Sequence, residues 1–422
     1  MIRDSIRIAT QLASAGRSQW WPEDRIRRHQ DQSLLDTLRF AIERVPHYRD
    51  LGLEANQITS AADLEQFPVL TKSTLQENQL RLLADDVTLG ACKTSTTSGS
   101  TGEPTTSAFD RNTWLLCKYT LKIRRLLAYG VGIGKRVLLV SEMHPEEIAE
   151  SSRVFGSGLL FGQRYVSIHQ PVSHGLREIR SFRPHAIYAF PSYLAELLEY
   201  CEREEDELPN IGTLFTSSEV LSDGLRQRLI NAFSADVCDV YGNTEFKEVA
   251  WQCRSKRYHV NFESTWVETI DEAEDGFGTV LLTTLVNRAM PLIRYRVGDR
   301  VRIGTGECDC GRNGPWLAAV SGREVDMLIL ADGRRLSPYL LTSIIELDPA
   351  IRRYQIVQSS PSELTIRYLK APAREVDVPL LRQSIAEVLG AAPTIHFERV
   401  TDLPRTERGK QKVFIRNFGL ST

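Results

Sequence analysis

Hydroxyl side chains and glycines crowd into one short stretch of this chain, Thr94-Ser-Thr-Thr-Ser-Gly-Ser-Thr-Gly-Glu-Pro-Thr-Thr106. Glycines let backbone N–H groups converge on a phosphate, hydroxyls add neutral donors, and Pro104 limits how the loop leaves. Such a segment can wrap an anion; the competing reading is a flexible Ser/Thr linker. It is not a Walker loop, because no Gly-Lys-Ser/Thr closes it. Two other glycine-rich pieces, Gly130-Val-Gly-Ile-Gly-Lys-Arg136 and Gly156-Ser-Gly-Leu-Leu-Phe-Gly162, miss the Walker and dinucleotide spacings and are turns. A second constellation is Cys253-x5-His259 with Cys308-x-Cys310-Gly311. Three sulfurs and one imidazole complete a tetrahedral shell for zinc and leave no vacancy for a catalytic water, so the chemistry implied is a structural metal. Gly306 and Gly311 suit a tight knuckle around it; the competing reading is four unrelated residues. Cys92, Cys117, Cys201 and Cys238 have no motif context and are expected as buried small apolar residues. His144, His169 and His174 are assigned no role.

The elements that must position these residues are legible as periodicities. Leu34, Leu35, Leu38, Ala41, Ile42 and Val45 recur at helical spacing after Ser33, an N-cap candidate, and Pro46 stops the pattern. The strand-like run Arg136–Val140 follows a glycine-rich turn, and His185–Phe190 ends at Pro191 before a helical stretch from Tyr193 to Cys201. Strands alternating with helices predict an α/β sheet. Between Gly276 and Arg302 the pattern turns β-rich, with strands expected at 278–284 and 293–297. From Met327 onward a strand, helix, strand series over 364–369, 378–389 and 394–400 predicts a small α+β domain. The acidic run Glu202–Glu207 is a solvated helix end.

Composition narrows the class. The 422 residues are 42% hydrophobic and 25% charged, which excludes disordered, collagenous and disulfide-scaffold chains. Fifty-two Lys+Arg against 54 Asp+Glu give a formal charge of -2, so neither nucleic acid nor a membrane is an expected partner. Seven cysteines without small-domain spacing fit a reducing compartment, and Thr10 and Gln11 interrupt the apolar stretch a signal peptide would need; the expected location is the cytoplasm. No run reaches the roughly 18 to 20 apolar residues of a spanning helix.

Taken together, the motifs resemble the adenylate-forming (acyl-activating, AMP-binding) enzyme superfamily, and most closely its phenylacetate-CoA ligase branch. Thr97-Ser-Gly-Ser-Thr-Gly-Glu-Pro-Thr105 is similar to the family's phosphate loop, Tyr241-Gly-Asn-Thr-Glu245 to its adenine and magnesium motif, and Tyr295-Arg-Val-Gly-Asp299 to its ribose motif. Gly322-Arg-Glu-Val-Asp326 resembles the interdomain hinge and Arg405-Thr-Glu-Arg-Gly-Lys410 the loop with the mobile lysine. Val45-Pro-His-Tyr48, Phe67-Pro-Val-Leu-Thr-Lys72 and Phe190-Pro-Ser-Tyr193 resemble markers of the branch, as does the Cys-x-Cys-Gly element.

The resemblance implies an α/β chain: a large N-terminal adenylate-forming domain, residues 1–324, with mixed α/β sheets and a β-rich subdomain, and a small mobile C-terminal α+β domain, residues 325–422. It implies ATP, magnesium and coenzyme A as cofactors, beside the structural zinc at Cys253, His259, Cys308 and Cys310. Ser98, Gly99, Ser100, Thr101 and Gly102 would cradle the outer phosphates, with Thr101 also counted as catalytic; Glu245 would hold magnesium; and Lys410 would contact the α-phosphate and the acid, Lys412 being its rival. Tyr241, with Gly242 and Thr244, would border adenine, Ser218 and Glu219 its edge, and Asp299 with Arg323 the ribose. Tyr188, Phe190 and Asn243 would line the acid pocket, with Pro191 and Tyr193 adding to its aromatic wall; strand-end packing is the competing reading. The hinge departs from the family, since Val325 stands where Asp or Lys is usual. The function implied is activation of an aromatic or arylacetic acid to acyl-AMP and transfer to coenzyme A. The rivals are transfer to an amine, a carrier-protein thiol or another nucleophile, and a silent nucleotide-binding or zinc-stabilised interaction protein. A homodimer stays open.

Overall fold

The computed structural model describes residues 2–96, 105–147, 162–273, 276–323, 327–371, 374–390, 393–404 and 411–418. The chain is mixed α/β and divides into two compact units, each discontinuous in sequence: Met1–Gly130 with Asp239–Val320, and Val131–Cys238 with Ser321–Thr422.

In the first unit, helix Glu23–Arg44 buries Ile26, Leu34, Leu38, Ala41 and Ile42 along one face. It starts ten residues before the predicted N-cap, so Ser33 lies inside the helix. The reason is visible in the sequence: Ile26 and Gln30 extend the buried stripe backward, and Pro22 with Glu23 and Asp24 supplies a start favoured by fixed φ and by the helix dipole. Strands run in the order Asp236–Asn243, Lys247–Gln252, Tyr258–Val260, Trp316–Arg323, Tyr295–Ile303, Gly278–Thr284, Thr265–Ile270. Gly278–Thr284 falls where predicted, whereas the next strand begins at Tyr295, two residues late. A separate hairpin, Lys93–Thr96 with Thr106–Phe109, carries the hydroxyl-rich segment between its strands. Two of the branch-like markers lock onto this sheet. Tyr48 is fully buried, its hydroxyl donating to Pro291 O and accepting from Ile293 N, while Leu70 bonds backbone to backbone with Arg294 and Arg296.

In the second unit, four parallel strands run Thr213–Ser217, Ala186–Ala189, Arg136–Ser141, Gly162–Ser167, packed by helices Val172–Phe182, Pro191–Arg203 and Asp223–Phe233. A Cβ on Gly175 would meet the Tyr193 hydroxyl at 1.8 Å, so only glycine lets these two helices close on Phe190-Pro-Ser-Tyr193. The C-terminal part has its own core around Leu341, Ile356, Ile366, Ile385 and Phe414. Its sheet order is Thr394–Arg399, Glu363–Lys370, Ile351–Ser360, Phe414–Arg416, with helix Val378–Leu389 as predicted and the strands at 351–360 and 414–416 additional to prediction. Cys117, Cys201 and Cys238 are buried and Cys92 is half-buried. Among the described residues no helix is long and apolar enough to cross a membrane.

Candidate functional site

The turn joining strands Asp236–Asn243 and Lys247–Gln252 carries the segment Tyr241-Gly-Asn-Thr-Glu245. The ladder slips between Tyr241 and Gly242, and a Cβ on Gly242 would lie 2.1 Å from Lys247 O, so glycine is required where the turn folds back. Strand Tyr295–Ile303 fixes this turn at two points. Tyr241 Oη donates to Asp299 Oδ2 at 2.9 Å, and Tyr295 Oη donates to Glu245 Oε1 at 2.9 Å. Glu245 and Tyr295 are buried, so the second bond holds a carboxylate in one position away from bulk water. Phe246 N donates to Asn243 Oδ1 at 2.7 Å, which leaves Asn243 Nδ2 buried without a partner among the described residues. Lys247 completes the turn with a left-handed backbone, φ 68. Its ammonium donates to Thr244 O at 2.8 Å and to Ser95 Oγ, tying the turn to the hairpin before the hydroxyl-rich segment. Burial, helped by repulsion from Lys118 and opposed by Glu245, pushes the lysine down to about 8.

In the second unit Glu219 accepts from both Ser192 N and Ser192 Oγ at 2.8 Å, placing a carboxylate at the start of helix Pro191–Arg203. Ser218 beside it has φ 70. Phe190 is the buried residue preceding that helix, and Tyr188 lies half-buried on strand Ala186–Ala189.

The Cys253, His259, Cys308 and Cys310 ligand atoms all lie within 4.8 Å of one another, and three of the four residues are buried. Cys253 Sγ is 3.6 Å from Cys308 Sγ, and His259 Nε2 is 3.2 Å from Cys310 Sγ. Ligands about 2.0–2.3 Å from a tetrahedral zinc stand at such separations, so the donor set fits that ion. Burial, reinforced by Arg312, Arg257 and Arg124, pushes His259 down to about 3 and keeps the imidazole neutral, the form that binds metal. Burial alone would raise the Cys310 thiol, but bonds from Arg312 outweigh it and hold it below its ordinary value. His259 Nδ1 is buried without a partner among the described residues.

No family model matches the chain. A phenylacetate–coenzyme A ligase of Thermus thermophilus is 25% identical over 389 residues, spanning 87% of this chain and 85% of that protein. Another, of Escherichia coli, is 25% identical over 432 residues, spanning 94% and 96%. A 2-hydroxyisobutyryl-CoA ligase in the postadenylation state with R3-HIB-AMP superposes with a TM-score of 0.78 at 21% identity, over 95% of this chain and 91% of that one. An amide bond synthetase from Marinactinospora thermotolerans superposes with a TM-score of 0.54 at 15% identity, over 75% and 67%. Over most of its length the chain is thus similar to phenylacetate–coenzyme A ligases, and its fold is that of the acyl-CoA ligases.

In this chain the expected site residues fall into three groups. Tyr241, Gly242, Asn243, Thr244, Glu245 and Asp299 converge in the first unit, two motifs brought together by two hydrogen bonds. Tyr188, Phe190, Ser218 and Glu219 belong to the second unit. Ser98, Gly99, Ser100, Thr101, Gly102 and Lys410 lie outside the described residues, as does the Arg323 side chain, although Arg323 ends strand Trp316–Arg323. Sequence reasoning missed Tyr295 as the anchor of Glu245, Lys247 as the tie to Ser95, and Arg312 as the donor to Cys310, at 3.3 Å. Tyr295 opens its own motif, and Arg312 stands two residues from the last cysteine; those were the available signals.

Proposed function

We propose that this ligase activates an aromatic or arylacetic acid with ATP and passes the acyl group to coenzyme A. A carboxylate oxygen bonds to the α-phosphorus, the bond to the β-phosphate oxygen breaks, and pyrophosphate leaves with the electron pair. The thiol sulfur of coenzyme A then attacks the acyl carbon, AMP leaves, and the thiol proton passes to solvent. Two anions must approach each other in the first step, so positive charge and fixed donors are the main requirement.

The observation that carries the reading is the double tie between the Tyr241–Glu245 turn and the strand bearing Asp299. In this account Tyr241, Gly242 and Thr244 border adenine, with Ser218 and Glu219 at its edge. Asp299 accepts from the ribose hydroxyls, supported by Arg323. Ser98, Gly99, Ser100, Thr101 and Gly102 hold the outer phosphates. Glu245 offers the fixed, hard oxygen donor that magnesium requires, and that ion would neutralise charge on the phosphate oxygens. Lys410 meets the α-phosphate and the acid, delivered by a mobile domain of residues 325–422 moving against residues 1–324. Asn243, whose buried Nδ2 has no partner among the described residues, stands nearest the acid carboxylate, and Tyr188 and Phe190 form an aromatic wall. Cys253, His259, Cys308 and Cys310 hold a structural zinc that ties two loops of the first unit together. The relatives named as coenzyme A ligases support the acceptor, and the reducing composition supports a cytoplasmic setting.

The test is incubation with ATP, magnesium and a panel of aromatic, arylacetic and aliphatic acids, with and without coenzyme A, with products identified by mass. Acyl-CoA from an aryl or arylacetic acid is the expected product. Accumulated acyl-AMP that ignores coenzyme A but yields to an amine or a carrier thiol would replace the acceptor, and silence across the panel would overturn the reading.

A further inference from the structure

Arg312 sits beside the Cys253, His259, Cys308 and Cys310 cluster, in a position that its neighbours fix. Its guanidinium lies between two indole rings, 4.6 Å from the Trp20 centroid and 4.7 Å from that of Trp251. Nε donates to Gln19 Oε1 at 3.0 Å and Nη1 donates to Cys310 Sγ at 3.3 Å. Trp251 also packs against the His259 ring, centroids 6.4 Å apart, so one indole touches both a ligand of the cluster and the cation beside it. The other arginines nearby are engaged elsewhere: Arg124 with Glu263 and Asn261, Arg254 with Ala128 O and the Tyr129 ring, Arg257 with Glu307 O and the Trp316 ring. Of the four ligand residues Cys253, His259 and Cys308 are buried and Cys310 is half-buried. A cavity of about 560 Å³ reaches the cluster at Cys253 and Cys310, and Arg312, Trp20, Trp251 and Arg254 also line it. Trp20 is 49% exposed, so the indole that covers Arg312 stands on the solvent side of the cavity.

Three thiolates and one neutral imidazole around a divalent cation leave one negative charge, and a largely buried charge needs a counter-ion at hand. A guanidinium suits that task, since its planar fork bonds the sulfur while both its faces stack on indoles. We propose that Arg312 is the positioning residue of this metal site: it offsets that charge at Cys310 and closes the face through which the ion exchanges with solvent. The proposal rests on the zinc reading of the cluster and is independent of the adenylating one. It also ties the metal to the N-terminal helix. Gln19 and Trp20 follow helix Ile2–Ser18, and Asn313 Nδ2 donates to Trp21 O at 3.1 Å, so the cysteine loop and the end of that helix are held as one assembly.

The test uses the full zinc-loaded chain, mixed with an excess of a chromogenic chelator, and follows metal transfer from wild type, Arg312→Met, Arg312→Lys and Trp20→Ala. The same proteins loaded with cobalt report the ligand shell through their d–d absorption. Trp20 is half-exposed, so Trp20→Ala removes the cover without disturbing the core. Arg312→Met is expected to release zinc about tenfold faster, Trp20→Ala severalfold faster, and Arg312→Lys, which keeps the charge, within about threefold of wild type. The cobalt spectrum should keep its tetrahedral form in all four, which a variant that had lost the fold would not show. Zinc transfer from Arg312→Met at the wild-type rate, or from Arg312→Lys as fast as from Arg312→Met, overturns the role of Arg312 while the metal reading stands. A wild-type protein that takes up neither zinc nor cobalt overturns both.

Discussion

The Tyr241–Asp299 turn and the Cys253–Cys310 cluster belong to the same unit, yet they are built on opposite principles. The turn is held by single hydrogen bonds between side chains, Tyr241 to Asp299 and Tyr295 to Glu245, and each bonded group has further capacity for a ligand. The cluster joins residues brought together from three loops and strands, and its four donor atoms converge within 4.8 Å of one another. A site of the first kind contributes little to stability and can spend its polar groups on substrate. A site of the second kind spends its groups on holding the chain together. Substitutions should therefore separate activity from stability in opposite directions.

The largest effect is expected at Lys410, the lysine proposed to meet the α-phosphate. Lys410→Ala should abolish acyl-AMP formation, a loss on the order of a thousandfold, while Lys412→Ala leaves it standing and both melt like wild type; the readout is pyrophosphate release beside a thermal melt. If Lys412→Ala is the silent variant instead, the two lysines exchange roles. Metal analysis of the purified protein should find one zinc per chain, and its removal, or Cys310→Ser, should lower the melting temperature by roughly 5–10 °C without blocking adenylation by the fraction still folded. A protein without metal would dissolve the comparison. More modestly, Asp299→Asn should raise the KM for ATP by about tenfold, whereas Tyr241→Phe, which removes one neutral hydrogen bond, should raise it severalfold.

A separate effect, on stability alone, concerns acid. His259 is neutral in the folded metal-free chain until about pH 3, whereas in the unfolded chain it gains a proton near its ordinary value of 6.5. The unfolded state therefore binds more protons in that window, so stability should fall as pH drops from about 6.5 toward 3. His259→Gln should flatten that part of the curve in melts followed across pH.

The residues of the first site were legible as short contiguous motifs, and the structure joins two of those motifs through Tyr241–Asp299 and Tyr295–Glu245. What the motifs hid was the tie between them. Nothing at Tyr295 announces that its hydroxyl will reach Glu245, because that contact depends on the register of the strands between. The grouping of Cys253, His259, Cys308 and Cys310 was proposed from the sequence beside the reading of four unrelated residues, and the four do come together, but Arg312 was not legible, since its bond to Cys310 is a matter of side-chain direction. Helix ends were less legible still: Ser33 is a good N-cap type that the longer buried stripe from Ile26 overrides.

The central claim, that this chain joins an acid to AMP, is tested most directly by acid-dependent exchange of labelled pyrophosphate into ATP, which reports acyl-AMP formation whatever the acceptor. The account predicts exchange with at least one aryl or arylacetic acid and its collapse in Glu245→Gln at an unchanged melting temperature. Exchange absent with every acid, or undiminished in that variant, would contradict it.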